Sequence, residues 1–298
     1  MNRAYKYRIY PNEEQKALME KTFGCVRFIY NKMLQDRIAI YEKYKNDKEL
    51  LQKQKYPLPA SYKEKYPWLK EVDSLALANA QMNLQSAYRN FFKNNHFKFP
   101  KFKSKHNNKN SYTTNNQKDT IRLVDEKTVR LPKLKNIKIK LHRPIPEKAC
   151  IKAATVSKTA TGKYYIAILL ELPDNPVCEK APMQQEPASR FAKPDYSSYY
   201  HDEALELKIK KAQKKLGHRK TGSQNYEKQK QKLAKLFEKK ANKRKDFLHK
   251  LSRQIANACK EEKEGTSLWE NIHIAECTDD TDTFKMFLQY KMSEQGIA

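Results

Sequence analysis

Glycine is scarce in this chain, six residues in 298, and none lies in a phosphate-cradling loop of the P-loop or dinucleotide-binding kind. That absence argues against nucleotide-driven chemistry. Cysteine is thin and scattered: Cys25, Cys150, Cys178, Cys259 and Cys277 form no close pair of the sort that ligates zinc. An odd set without an export signal reads as free thiols. No apolar run approaches the roughly 18 residues that a membrane span needs, and the opening MNRAYKYRIYP lacks a signal-peptide core. The expectation is a soluble, cytoplasmic protein with no membrane partner. Negative charge is also short, with Asp+Glu 34 against Lys+Arg 61, a net charge of +27 and a pI near 9.7. Self-repulsion on that scale points to a polyanion, nucleic acid by default. The plainer alternative, a solvated lysine-rich surface, is weakened by aromatics interleaved with the lysines along the chain.

What is present is regular. Residues 3–10 alternate, with Tyr5, Tyr7 and Ile9 on one face and Lys6 and Arg8 on the other, as in a half-buried strand. Pro11 and Asn12 end it. Leu18, Cys25, Ile29 and Met33 then recur at helical spacing, predicting one long helix to about residue 45. Residues 46–70 read as a loop with one short helix. Asp73 and Ser74 cap the next helix, whose Leu77, Ala80, Leu84, Ala87 and Phe91 form an apolar seam. Residues 96–117 are basic, aromatic and extended. From residue 120 the period changes to two. TIRLV and TVRL make one hairpin, and residues 151–158 and 164–172 make another around Thr161 and Gly162. Between them Ile137, Ile139 and Leu141 alternate with Lys138 and Lys140. Four or five strands plus 3–10 suit a small barrel or folded sheet interrupted by a helical insert. Segment 173–201 is proline-rich, shows no period and reads as a linker. Residues 203–216 are helical, 217–223 turn, and 224–262 form a long basic helix. Its apolar seam is Phe237, Ala241, Leu248, Leu251, Ile255 and Ala258, set to pack against the 203–216 helix or the strands.

Several blocks occur in a telling order: YKYRIYPNEEQ, FGCVRFIYN, VDSLALANAQMNLQSAYRNFF, FPKFKSK, SYTTNNQ, GKYYIAILLE and KTGSQNYEKQKQKLAKLFEKKANKRKDFLHKLS. Over residues 1–172 and 196–258 the chain resembles the transposon-encoded TnpB (OrfB) RNA-guided nucleases. The resemblance implies an α+β fold: a strand-rich wedge barrel interrupted by a helical recognition domain, followed by a truncated RNase H-like (RuvC) domain. The boundaries expected are 1–12 for the first barrel strand, 13–115 for the recognition domain and 116–174 for the rest of the barrel. A linker over 175–202 replaces the first RuvC strand, and 203–298 is the truncated RuvC-like domain. The first two domains are implied to hold a guide RNA and to read a short motif beside the target in double-stranded DNA. The third is implied to cut with three carboxylates and two divalent metals, roughly 4 Å apart.

The chain departs from that pattern at all three carboxylates. No hydrophobic strand ending in Asp occurs between Leu172 and Tyr196; Asp195, after Pro194 in a polar segment, is the nearest claimant. In IHIAEC, Ala275 stands where the family's Glu belongs, and Glu276 is a substitute only after a one-residue slip. The third Asp and a zinc ribbon would fall past the point where the resemblance stops. Asp279, Asp280 and Asp282 there read as a solvated loop. No catalytic residue, metal site or cofactor is therefore expected, apart from the guide RNA that binding requires. The chain looks like the nuclease-dead repressors of the family. Its implied function is occupancy of a promoter in the bacterial nucleoid, with RNA polymerase affected by exclusion and sequence read by the guide. The alternative is a decayed transposon nuclease that retains only RNA and DNA binding.

For motif reading the candidates are Ser74, Leu75, Ala78 and Asn79, facing Thr114, Asn115, Asn116 and Gln117. Small residues permit close approach, and Asn or Gln can read adenine bidentately. For nucleic-acid backbone they are Lys101, Lys103 and Lys105, and on the long helix Lys239, Lys240, Lys243, Arg244 and Lys245. Phe97, Phe99 and Phe102 fit either a core gap, the favoured reading, or a base-stacking role. His249 is expected to pack, and Tyr5 and Tyr7 to line the barrel core.

Overall fold

The computed structural model describes residues 2–93, 96–105, 110–172, 202–261 and 278–295. The chain divides into two units, Met1–Asp174 and Asn175–Ala298.

The first unit opens with β1 (Asn2–Tyr10), whose alternation buries Tyr7 and Ile9 as the sequence pattern requires. Asn12 then caps α1 (Glu13–Tyr44). Its side chain accepts from Gln15 N at 2.8 Å, and its own N–H donates to Gln15 Oε1 at 3.0 Å, a reciprocal capping box. The Gln15 amide also donates to the carbonyls of Leu134 and Asn136, so one residue starts the helix and ties it to the sheet. Two short helices, α2 (Lys48–Lys53) and α3 (Tyr62–Lys65), and a 3-10 turn at Pro67–Lys70 fill what the sequence suggested was a loop with one helix. Helix α4 (Ser74–Lys93) buries Ala76, Leu77, Ala80 and Leu84 in the same core as Met19, Phe23, Ile29 and Met33 of α1.

Six further strands follow: β2 (Asn110–Asn115), β3 (Arg122–Asp125), β4 (Thr128–Leu131), β5 (Lys135–Lys140), β6 (Cys150–Lys158) and β7 (Tyr164–Glu171). With β1 they form one seven-stranded sheet in the order β2-β6-β7-β1-β5-β4-β3, every pair antiparallel. β2 and β3 are its edges, so the described strands make a curled open sheet instead of a closed barrel. The segment SYTTN also departs from expectation. Placed by its composition in an extended basic stretch, it pairs with β6 because Tyr112 and Thr114 alternate inward. Tyr7 sits fully buried in this core and donates to the Arg143 carbonyl at 2.9 Å; burial pushes its phenol up to about 12.

In the second unit the described elements are all helices: α5 (Glu203–Gly217), α6 (Gln224–Glu261) and α7 (Thr278–Glu294). Asp202 caps α5 by accepting from Leu205 N at 3.0 Å. Gly222, at φ +83, reverses the chain into α6. Leu205, Ile209 and Ala212 are the buried face of α5, and Gln229 of α6 donates to the Ala212 carbonyl. Further along, Leu248, Leu251 and Ala256 of α6 pack with Phe284, Phe287, Leu288 and Met292 of α7. Phe237 and Ala241, expected in the seam, are exposed instead, Phe237 at 45%. The segment around Asp279, Asp280 and Asp282, expected as a loop, lies in α7, because Phe284, Phe287, Leu288 and Met292 give it an apolar face at helical spacing. The linker segment 173–201 and the strand-like IHIAEC lie outside the described residues.

Candidate nucleic-acid interface

The start of α4 and the end of β2 meet, as the candidate motif readers require. Asp73 organises the junction. One carboxylate oxygen accepts from Leu75 N at 3.1 Å and caps the helix, and the other accepts from the Thr114 hydroxyl. Ser74 is therefore the first helical residue, and its hydroxyl accepts from Lys63 Nζ at 2.7 Å. Asn79 donates to the Leu75 carbonyl at 2.9 Å and to Asn115 Oδ1 at 3.4 Å, linking helix to strand.

The eight candidates then separate by what their polar atoms already hold. Thr114, 1% exposed, is committed to Asp73 and cannot read a base. Asn116 is also structural: its amide donates to the Ile151 carbonyl at 3.0 Å and accepts from Ile121 N at 2.9 Å. It thereby holds the turn in which Lys118 and Asp119 adopt φ of +53 and +56, a costly conformation for two non-glycine residues in succession. Asn79 Oδ1, the Asn115 amide nitrogen and the Gln117 side chain have no partner among the described residues. Leu75 and Ala78 lie half-buried between them as a small apolar floor. What remains is one acceptor and one donor on a fixed frame, with Gln117 exposed beside them.

The basic segment 101–105 is anchored from behind. Asn31 accepts from Lys103 N at 2.7 Å and donates to Lys103 O at 2.9 Å, while the Lys103 ammonium lies 4.0 Å from the Tyr30 ring centroid. Desolvation there lowers its pKa, while Asn31 and the Tyr30 ring hold it in place; Lys101 and Lys105 are exposed. A cavity of about 240 Å³ opens beside it, lined by Phe23, Val26, Arg27, Lys103, Ser104, Asn110 and Ser111. The neighbouring Phe97, Phe99 and Phe102 are exposed, which corrects the expectation that they fill a core gap.

On α6 the five basic candidates do not act as one patch. Lys240 pairs with Glu206 at 2.7 Å and Lys243 with Asp202, so both are engaged by α5. Lys245 turns to the α7 side, 5.8 Å from the Phe287 ring, and Lys239 is exposed. His249 packs as expected, stacked on Phe287 with ring centroids 3.9 Å apart; burial, then Lys291, lower its pKa.

One basic surface escaped the sequence. On the outward face of β1, β5, β4 and β3, Arg8 stands directly opposite Lys140, Tyr10 opposite Lys138, and Arg122 opposite Arg130. Like charges paired across strands are destabilising. Their retention on one face suits a phosphate backbone. The alternation of Lys138 and Lys140 was visible in the sequence, but not that they oppose β1.

Among the described residues no group of three or more His, Cys, Asp or Glu is placed to hold a metal ion. Ala275, Glu276 and Asp195 lie outside the described residues, and Asp282 is an exposed helical residue of α7.

Two stretches of the chain are similar to the OrfB proteins of IS605 elements. Residues 1–46 match a family model described as "Helix-turn-helix domain", and residues 198–266 match one described as "Probable transposase". The described part of the first match is one strand and one uninterrupted helix, with no helix-turn-helix. A protein of Streptomyces pristinaespiralis named as an RNA-guided DNA endonuclease is 29% identical over 270 residues, covering 86% of this chain and 64% of that protein. InsQ of Escherichia coli, also named as an RNA-guided DNA endonuclease, is 25% identical, covering 85% of this chain and 63% of InsQ. The chain thus spans somewhat under two thirds of these two relatives. The virulence protein VsdF of Salmonella dublin is 40% identical over 114 residues, covering 36% of this chain and 96% of VsdF. In fold, the chain resembles the Cas12f1 protein of a Cas12f1–sgRNA–target DNA complex, with a TM-score of 0.53 at 10% identity over 100% of this chain and 88% of that one. No helix among the described residues is long and apolar enough to cross a membrane.

Proposed function

We propose that this chain is a guide-RNA-directed protein that binds duplex DNA beside a short motif without cutting it, and represses transcription by occupying a promoter. The observation that carries the binding half is the α4–β2 junction. Asp73, Thr114 and Asn116 fix its frame, leaving Asn79, Asn115 and Gln117 with unpartnered polar atoms for base edges. The cationic face of β1, β5, β4 and β3 supports it as a place for phosphates. The non-cleaving half rests on the sequence, where Ala275 replaces the Glu that the family resemblance requires and no strand ending in Asp precedes Tyr196. Two relatives named as endonucleases make cutting the competing reading.

The test is to purify the protein with its cellular RNA, sequence that RNA, and challenge the complex with a matching duplex in Mg²⁺ or Mn²⁺. One discrete RNA with a variable end matching a promoter, and a retained but uncut duplex, is the expected result. Strand scission at the matched site that Glu276→Ala abolishes defeats the non-cleaving reading. A smear of ribosomal and messenger RNA defeats guided binding.

A further inference from the structure

The described residues hold a ladder of π systems that none of the sites above uses. The Arg37 guanidinium lies between two rings, 4.7 Å from the Tyr56 centroid and 5.0 Å from that of Tyr88. Tyr88 in turn stacks on Phe92 at 6.2 Å with an interplanar angle of 21°. Phe91 meets Phe92 edge-on at 5.1 Å, and Phe99 meets both Tyr88 and Phe91 edge-on, at 5.6 and 5.5 Å. The ladder then stops: Phe92 is 76% exposed, so the face turned away from Tyr88 is open to water. Tyr88 and Phe91, themselves held by Arg37 and Phe99, thus fix the orientation of a ring that is otherwise exposed. A hydrophobic packing role would bury Phe92, and a solubilising role would not place phenylalanine there.

The charge around the ladder chooses the occupant. No Asp or Glu occurs between Asp73 and Asp119, while Arg89, Lys93, Lys98, Lys101, Lys103 and Lys105 do. A segment this rich in cations repels a basic protein surface, including a second copy of this chain at net charge +27. It suits unpaired bases, whose π faces stack on aromatic rings while lysines meet their phosphates.

We propose that the open face of Phe92 is a stacking platform for an unpaired segment of RNA, with Lys93 and Lys98 beside it for the backbone. This rests on the nucleic-acid reading above and adds a specific place for single-stranded RNA. RNA is the committed occupant because a phenylalanine this exposed needs a resident cover, and in a guided complex the RNA is resident before any DNA arrives. Because the rings are already fixed, stacking costs little ordering entropy.

The test uses full-length protein freed of RNA in high salt. Its affinity for a fluorescent oligouridylate, for an abasic oligomer of equal length, and for duplex DNA is measured by anisotropy. Phe92→Ala is expected to weaken oligouridylate binding about tenfold, Phe92→Trp to restore it, and neither to change binding of the abasic oligomer or the duplex. Equal oligouridylate affinity for wild type and Phe92→Ala overturns the proposal. So does equal weakening on the abasic oligomer, which assigns the effect to charge. Weakening on oligothymidylate but not oligouridylate overturns it in favour of single-stranded DNA. A change in mass on size exclusion, with RNA binding intact, overturns it in favour of self-association. Failure of the guided complex to retain its matched duplex defeats the function proposed above, and leaves the platform standing if Phe92→Ala still loses oligouridylate.

Discussion

The two units solve the same problem, holding basic surfaces in place, by different means. In the first, side chains from α1, α4 and the sheet merge into one continuous core, and every candidate reading residue is tied into it within a few bonds. In the second, α6 is held by α5 from Gln229 to Lys243, through the Ala212 carbonyl, Glu206 and Asp202, and by α7 through Leu248, Leu251, Phe284 and Phe287. Phe237 and Ala241 stay exposed. The first unit is therefore built for precise placement of individual polar atoms. The second holds its basic helix by ion pairs and by a separate apolar contact.

The contrast can be broken most directly in the cores. Leu84→Ala, at a fully buried site in the continuous core, is expected to destabilise the first unit by about 4 kcal/mol, read by urea denaturation. A cost below about 1 kcal/mol would show that α4 is not held by that core. Phe287→Ala removes a core ring and the stacking partner of His249, with an expected cost of about 3 kcal/mol. Hydrogen exchange should rise over 248–256 and 284–292 and stay unchanged in β1, β6 and β7. Loss of protection in those strands contradicts the division into two units.

Asp73→Ala tests whether placement is the property of the first unit. It removes the α4 cap and leaves the buried Thr114 hydroxyl without its partner, an expected loss of about 2 kcal/mol. Asn79→Ala sharpens the same point at smaller cost. Stability should hold within about 0.5 kcal/mol, while discrimination of the DNA motif falls by about 1–3 kcal/mol in competition binding. Unchanged discrimination removes Asn79 from the reading face.

The second unit carries a subtler marker. Lys291 is 3% exposed and donates to Ser252 Oγ at 2.6 Å and to the His249 carbonyl. Desolvation, then Arg253, bring its pKa down to about 8, with Glu294 opposing. An unfolded lysine titrates near 10.4, so the unfolded state binds more protons between these values, and this group's contribution to stability rises with pH across that window. Below about pH 8 both states are protonated and the burial penalty is fully present. The Tm of wild type relative to Lys291→Met should therefore climb between about pH 8 and pH 10. A flat difference shows that the ammonium is solvated.

Much of this was legible in the chain. Periodicity placed α1, α4, the hairpins and α6, and the excess of Lys+Arg 61 over Asp+Glu 34 pointed to a polyanion as partner. These are local properties, carried by residues a few positions apart. The errors came where a partner distant in sequence decides. Thr114 and Asn116 looked like free polar readers until Asp73 and Ile151 took their hydrogen bonds. SYTTN looked like part of an extended basic stretch until β6 paired with it, and Phe97, Phe99 and Phe102 looked like core although each is exposed. Asp279, Asp280 and Asp282 looked like a loop because of their acidity, while the apolar face that makes a helix of the segment needs α6 to cover it.

By itself, then, the sequence determined most of the helices and strands and the excess of positive charge, because both follow from residue type and spacing. Only the tertiary structure decided which amides remain free to read a base, which cations oppose one another across β1 and β5, and that a stack of rings ends on the open face of Phe92. Those depend on which atoms from distant positions come within bonding distance, and residue spacing carries no such information.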